Sequence, residues 1–264
     1  MRVTRIYQIV QHTFDKSIYI SFYGCNFKCL GCLLKDSVWY YHLPEDLKRC
    51  LEKLGTIKFL PLSELKSIVE ELDTKMAILG GAEPTLDKEL PEVVGTLSDL
   101  GVKTHLTTNG YALDQETIKR LKRAGLSSVC ISIRAYDYHV HRFYTGRSNR
   151  RVLNNFKLAY ESGMEVMAES ILIPGLIEID EIERIAKFIA SVDPSIKYRI
   201  DGFITFDDLP WRSPSPEEVV RAAQAARRHL NNVYYLHKGM KFEGNVINIY
   251  PGIPYWQPST SPSR

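Results

Sequence analysis

Strand-like and helix-like segments alternate along most of this 264-residue chain, and that alternation restricts the possible fold more than any other feature of the sequence. Short apolar or β-branched runs predict strands over 17–22, 75–79, 103–107, 128–133, 165–173 and 196–204. Between and after them, apolar residues at helical spacing predict helices over 60–72, 90–100, 114–124, 151–162, 179–191 and 216–230. Ser63 is placed to cap the first of these helices, and Gly125 and Gly163 to stop two others. About six β–α units in a row imply an α/β fold with a parallel sheet covered by helices. The stretches 233–236 and 246–250 read as added strands. Residues 25–59 form a long irregular excursion with a short helix near 45–54, and residues 1–16 are mixed and charged, with no element assigned. The length suits one large domain over 1–250 with an insertion at 33–60, followed by a Pro- and Ser-rich irregular tail at 251–264.

In parallel α/β folds the ligand site gathers where the strands end at their C-termini. The unusual residues of this chain fall at such ends: three cysteines after the first predicted strand, Gly80-Gly81 after the second, Asn109-Gly110 after the third and Arg134 after the fourth. Cys25, Cys29 and Cys32 supply three thiols from one short loop, with Gly24 and Gly31 letting the backbone curl. Iron–sulfur clusters of the [4Fe–4S] type usually take four cysteines, so three leave one iron corner for another ligand. A zinc site, or three incidental core thiols, is the competing reading of the same residues. Cys50 lies in an amphipathic helical pattern and reads as a buried or half-buried thiol, while Cys130 sits mid-strand and reads as core. Three cysteines packed this closely do not suit a disulfide framework. No apolar leader is visible and no apolar run approaches the roughly 18–20 residues that span a bilayer, so a cytoplasmic protein without a membrane partner is expected. The net charge of +3 gives no reason to expect a nucleic-acid partner, and Arg142, Arg147, Arg150 and Arg151 read as a solvated loop entering a helix.

Cys25-x3-Cys29-x2-Cys32 after a first strand, followed by Gly81-Ala82-Glu83-Pro84 after the second, resembles the radical S-adenosylmethionine (SAM) superfamily over residues 17–207, and its layout is similar to the pyruvate formate-lyase activating enzyme type. The resemblance implies a partial (β/α)6 barrel of the radical SAM type. It implies a [4Fe–4S] cluster on Cys25, Cys29 and Cys32, with SAM's amino and carboxylate groups on the open iron. SAM contacts are then expected at Gly80, Gly81, Glu83 and Pro84, at Asn109 in the Thr-Thr-Asn-Gly turn, at Ser132 and Arg134, and at Glu169 with Ser170. Arg134 also suits a carboxylate chemically, because a guanidinium donates two parallel hydrogen bonds. The implied chemistry is oxidoreductive: one electron splits SAM into methionine and a 5′-deoxyadenosyl radical, which takes hydrogen from a substrate. A flavodoxin- or ferredoxin-like low-potential donor is the expected partner.

Three features depart from the activating-enzyme pattern. Gly31 stands where that group usually has an aromatic residue, the region after the sixth strand reads Thr205-Phe206-Asp207-Asp208 in place of a histidine, and the insertion carries an aromatic run at Trp39-Tyr40-Tyr41. A protein or peptide substrate, docked on that run and on the 142–151 segment, is one expectation. A small-molecule substrate held by groups such as Arg142 or Asp201, in an enzyme similar to 7-carboxy-7-deazaguanine synthase, is another, and a non-catalytic iron–sulfur or zinc protein is a third.

Overall fold

Every strand predicted from the alternation is present in the computed structural model, which describes residues 2–207, 209–241 and 243–252. The strands are β1 (Ile6–His12), β2 (Ile18–Phe22), β3 (Met76–Gly81), β4 (Lys103–Thr108), β5 (Ser128–Ser132), β6 (Glu165–Leu172), β7 (Lys197–Gly202), β8 (Val233–Leu236) and β9 (Val246–Tyr250). The helices are α1 (Glu45–Glu52), α2 (Leu62–Glu70), α3 (Leu90–Asp99), α4 (Gln115–Arg123), α5 (Tyr138–Thr145), α6 (Arg150–Glu161), α7 (Ile179–Val192) and α8 (Pro216–Arg227). All nine strands join one sheet in the order β8-β7-β6-β5-β4-β3-β2-β1-β9. From β2 to β8 every pairing is parallel, which gives the six β–α units and a closing strand. β1 and β9 extend the β2 edge with antiparallel pairings.

Three details correct the sequence reading. The N-terminal stretch holds β1, whose Gln8 and Gln11 had masked an apolar strand that is buried throughout. Helix α2 starts after an extended Pro61, so Ser63 lies inside the first turn and caps nothing. Arg142 does not lie in a loop: it is on α5, capped by the Asp137 carboxylate and closed by Gly146 at φ +75°. Arg150 and Arg151 open α6. Of the tail, residues 253–264 lie outside the described residues.

The period-two alternation sorts the sheet into two chemically different faces. Ile18, Ile20, Ala77, Leu79, Leu106, Val129, Ile131, Ala168, Tyr198 and Ile200 point outward and are buried under the helices. The neighbours in register on the other face are Tyr19, Ile78, His105, Met167, Arg199 and Asp201, and these are half-buried. The inner face is thus a lined hollow, as in a partial barrel, while the outer face forms the core. A second apolar cluster closes one side of it. Trp39, Leu43, Leu47 and Leu51 of the insertion pack with Tyr7 and Val10 of β1 and Val246 of β9. The Trp39 ring meets Tyr7 at 5.9 Å between centroids, and Tyr40 lies 4.9 Å from Tyr19 on the inner face. Most of the aromatic run is therefore packing that fixes the insertion, with Tyr41 left exposed at 47%.

Candidate functional site

The cysteine loop is pinned along both sides. Ala82 N–H donates to Phe22 O and Glu83 N–H to Gly24 O, each at 3.0 Å, so the turn after β3 runs beside the start of the loop. Lys28 N–H donates to Thr145 O at 2.8 Å and Leu30 N–H to Tyr144 O at 3.0 Å, which fastens its far side to the end of α5. Gly24 at φ +91° makes the entry turn, a conformation that a side chain would strain. Gly31 is required for space: a Cβ there would lie 2.6 Å from the Phe203 ring and 3.3 Å from the Tyr144 hydroxyl. The aromatic ring missing from position 31 is replaced by Phe203, arriving from just beyond β7.

The surroundings of the thiols suit a set of thiolate ligands. Cys25 is exposed, and its sulfur accepts from Phe27 N–H at 3.3 Å and from Asn109 Nδ2 at 3.6 Å. Burial pushes the Cys25 thiol up, and these two donors pull it back. Burial pushes Cys29 up to about 11, opposed by the nearby Arg134 guanidinium. Arg134 itself is disfavoured by burial but held charged, its pKa raised, by Glu169, Cys29, Tyr144 and Cys32. Donors and a cation facing a thiol trio fit an anionic metal–thiolate group. Among the described residues no three His, Cys, Asp or Glu side chains converge on one point as a single metal ion requires. Thiolates that ligate separate irons of one cluster need not do so.

The residues expected to contact SAM gather around this loop in two sets. The first is the turn after β3. Gly80 has no room for a side chain, because a Cβ would meet the Tyr19 hydroxyl at 2.3 Å, and Gly81 N–H donates to that same hydroxyl at 2.7 Å. Pro84 opens a short turn of 3-10 helix and is buried. Glu83 is fully buried: it accepts from Thr108 Oγ1 at 2.6 Å, Asn109 N–H at 2.7 Å, Thr85 N–H at 3.1 Å and the Thr85 hydroxyl. Both of its oxygens are thereby used to lock the turn after β3 to the turn after β4. Asn109 continues the chain of contacts, donating from Nδ2 to Asn26 Oδ1 at 2.6 Å as well as to Cys25.

The second set lies on the inner face. Glu169 on β6 accepts from the Ser132 hydroxyl of β5 and from Arg199 Nη2 of β7 at 2.5 Å, with Arg134 Nη2 at 3.8 Å. Arg199 Nε also pairs with Asp201 Oδ1 at 3.0 Å. Burial and the neighbouring Glu169 push the Asp201 carboxyl up, against the pull of Arg199, while the two guanidiniums hold Glu169 below its ordinary value despite its burial. His105 adds a ring whose pKa burial lowers, bonded to Ser128 Oγ at 2.7 Å. Ser170 does not join this group. Alternation turns it to the outer face, where its hydroxyl donates to Ile133 O at 2.7 Å. Cys130 is buried as expected, but on the inner face, 3.8 Å from Glu169 Oε2. Cys50 is half-buried on α1. Arg199, His105, Phe203 and Tyr19 were not singled out in the sequence. The alternating charges of Arg199 and Asp201 within a predicted strand were the signal that this face is not core.

Residues 19–189 match the Radical SAM superfamily. A Methanocaldococcus jannaschii protein with the provisional name glycyl-radical enzyme activating enzyme is 32% identical over 217 residues, which cover 80% of this chain and 77% of that protein. The GTP 3′,8-cyclase of Mannheimia succiniciproducens is 33% identical over 159 residues, covering 58% of this chain and 43% of the cyclase. Among solved structures, Streptococcus suis SuiB bound to S-adenosylmethionine superposes with a TM-score of 0.61 at 15% identity, over 84% of this chain and 46% of SuiB. A radical SAM methyltransferase from Sphaerobacter thermophilus gives a TM-score of 0.61 at 16% identity, over 86% and 68% of the two chains. These structural likenesses establish the partial-barrel fold.

Proposed function

The chain belongs to the radical SAM superfamily, whose cofactors are a [4Fe–4S] cluster and SAM, and on that premise we propose that Cys25, Cys29 and Cys32 hold the cluster while the surrounding strand ends hold SAM for hydrogen abstraction. When bound, the cluster and SAM supply the reductive C–S cleavage that yields methionine and a 5′-deoxyadenosyl radical. The observation that carries this reading is the continuity from Cys25 through Asn109 to Glu83, with the Arg134 guanidinium near enough to act on the Cys29 thiol. In it, the backbone at Gly80, Gly81 and Pro84 forms the wall against which SAM's methionyl end lies. Arg134 is the partner for its carboxylate, and Asn109, Ser132 and Glu169 face its polar groups. Glu83 acts through Thr108 and Asn109 as a positioning residue. The insertion keeps water from the hollow where hydrogen is taken, which protects a reactive intermediate from quenching.

For the substrate, we favour a glycyl-radical activating role, supported by the relative that shares 32% identity across most of both chains. A small-molecule reading has its own support in the half-buried Arg199–Asp201 pair, which offers charged groups inside the hollow, and in the similarity to GTP 3′,8-cyclases. Anaerobic reconstitution with iron and sulfide, then SAM and dithionite, is expected to release 5′-deoxyadenosine. Iron incorporation without that product would overturn the radical reading. A stable glycyl radical detected by paramagnetic resonance on a co-incubated partner protein would support the activating role, and deuterium transfer from a small molecule into 5′-deoxyadenosine would support the other.

A further inference from the structure

A line of hydrogen bonds away from the thiols runs from the surface toward the hollow. Asp15, exposed in the turn between β1 and β2, accepts from the Ser17 hydroxyl at 2.7 Å. Ser17 Oγ lies 2.9 Å from His12 Nδ1, and His12 Nε2 lies 3.0 Å from the Tyr40 hydroxyl. Ser17 and His12 are both buried. The order of the groups fixes each proton. Ser17 gives its one hydroxyl hydrogen to Asp15, so His12 Nδ1 carries the proton that Ser17 Oγ accepts. Nε2 is then the bare ring nitrogen, and the Tyr40 O–H donates to it. Burial, against the charge of Asp15, lowers the His12 pKa and so favours this neutral ring. From Tyr40 the contacts continue to the wall assigned to SAM. Its ring lies 4.9 Å from that of Tyr19, whose hydroxyl accepts from Gly81 N–H at 2.7 Å. That bond uses the Tyr19 hydroxyl as acceptor and leaves its hydrogen to give. Arg199, on the inner face of β7, is near enough to act on both phenols. Tyr7, the neighbouring phenol packed against the insertion, donates instead to Val38 O. A backbone carbonyl does not keep a proton at neutral pH, and an imidazole does. Since a phenol that loses an electron also gives up its proton, Tyr40 is the phenol of this group where an oxidising equivalent can settle.

Resting on the radical SAM reading above, we propose that Tyr40, with His12 as its base, is a redox-active tyrosine that takes up the oxidising equivalent of a 5′-deoxyadenosyl radical formed without substrate. The radical takes the hydrogen atom of the Tyr19 hydroxyl. That O–H bond breaks, a C–H bond forms at the 5′ carbon, and 5′-deoxyadenosine is left beside a Tyr19 phenoxyl. Tyr19 regains one electron from Tyr40 across the ring contact and one proton from water at the exposed Gly81 turn. Tyr40 becomes the radical. Its proton passes to His12 Nε2, while the Nδ1 proton moves through Ser17 toward Asp15 and solvent. One electron from the reductant that feeds the cluster, with a proton returned by His12, restores the phenol.

The test is a single turnover without substrate. The reconstituted protein is reduced, freed of excess dithionite, mixed with SAM in heavy water and frozen for paramagnetic resonance. A tyrosyl signal, narrowed when the chain carries ring-deuterated tyrosine, is expected in wild type and is expected to be lost in Tyr40→Phe. In His12→Gln it should be shorter-lived, because an amide does not hold the proton. The 5′-deoxyadenosine should carry solvent deuterium in wild type and in Tyr40→Phe, and lose it in Tyr19→Phe. Iron content should be the same in these proteins. A tyrosyl signal that survives in Tyr40→Phe, or none from a wild type that makes 5′-deoxyadenosine, would overturn the proposal and leave the hydrogen bonds as a fastening of the insertion. Deuterium lost in Cys130→Ala and kept in Tyr19→Phe would move the first step to that inner-face thiol and overturn the part given to Tyr19. Absence of 5′-deoxyadenosine in wild type would instead overturn the radical reading. Oxidation of the full chain by a photoexcited ruthenium complex needs no SAM and still decides Tyr40: its replacement by Phe should remove the longest-lived tyrosyl signal, and persistence of that signal would overturn the assignment.

Discussion

At position 31 one missing side chain decides how the cysteine loop can lie. The Phe203 ring fills the space next to Gly31, so a methyl group there would have to displace it. Gly31→Ala is therefore expected to cost about 1–3 kcal/mol and to lower iron retained per chain. Gly31→Ala combined with Phe203→Ala should recover part of that loss, because the cavity made by one change accepts the other. Strictly additive melting temperatures would show that the contact is not the cause. Glu83 is the second single-residue hinge of the site. Glu83→Ala leaves the Asn109 N–H and two threonine hydroxyls without their acceptor, and a loss of about 2–4 kcal/mol in denaturant unfolding is expected. Glu83→Gln should lose less, since the threonine hydroxyls can turn to accept from the new amide. Of the site residues, the cysteines, Asn109 and Arg134 were legible in the sequence because each ends a strand. Arg199 and Phe203 were not, because their importance comes from pairing across β6 and β7 and from packing against a distant glycine, which no local pattern encodes.

Helices α7 and α8 are joined at the surface by Glu183, which meets Arg228 at 2.8 Å, His229 at 3.0 Å and Lys187 at 3.1 Å. The bond from His229 leads in holding its carboxyl down to about 2, from an ordinary 4.5, with Lys187 and Arg228 adding to it. Its folded value lies below its unfolded one, so the stabilisation is present above about 4.5 and is lost as pH falls toward 2. Thermal melts between pH 6 and pH 3 should show a steeper decline in wild type than in Glu183→Gln; parallel curves would remove this carboxylate from the account. At this scale the sequence was most informative. Each parallel strand and the helix after it carry opposed periods, and both register in a short window. What it hid were elements whose signal is mixed. Strand β1 interleaves Gln with Ile and Val, and α5 carries His and Arg among aromatics, so its Asp137 cap and Gly146 stop were its clearest marks. The insertion's fold was hidden for another reason: Trp39, Leu47 and Leu51 find their partners on β1 and β9, strands far apart in sequence. Trp39→Ala should lower the melting temperature, at a cost of about 3–5 kcal/mol, while iron content stays unchanged. A loss of iron in step with stability would place the insertion in the support of the cluster loop.

Taken as one molecule, the chain divides its labour between two faces of one sheet. The outward face is apolar and carries the stability. The inward face and the strand ends carry polar groups whose desolvation is offset by the bonds that link Glu169 to Ser132 and Arg199 and Glu83 to Thr108 and Asn109. Among the described residues no helix is long and apolar enough to cross a membrane. The central claim is that three cysteines and no fourth hold the cluster, so that one iron is left for SAM. Paramagnetic resonance of the dithionite-reduced, reconstituted protein, recorded with and without SAM, tests it most directly. The account predicts a [4Fe–4S] signal that changes on SAM addition, is lost in Cys25→Ala, Cys29→Ala and Cys32→Ala, and survives in Cys50→Ala and Cys130→Ala. A signal indifferent to SAM, or one abolished by Cys50→Ala, would contradict it.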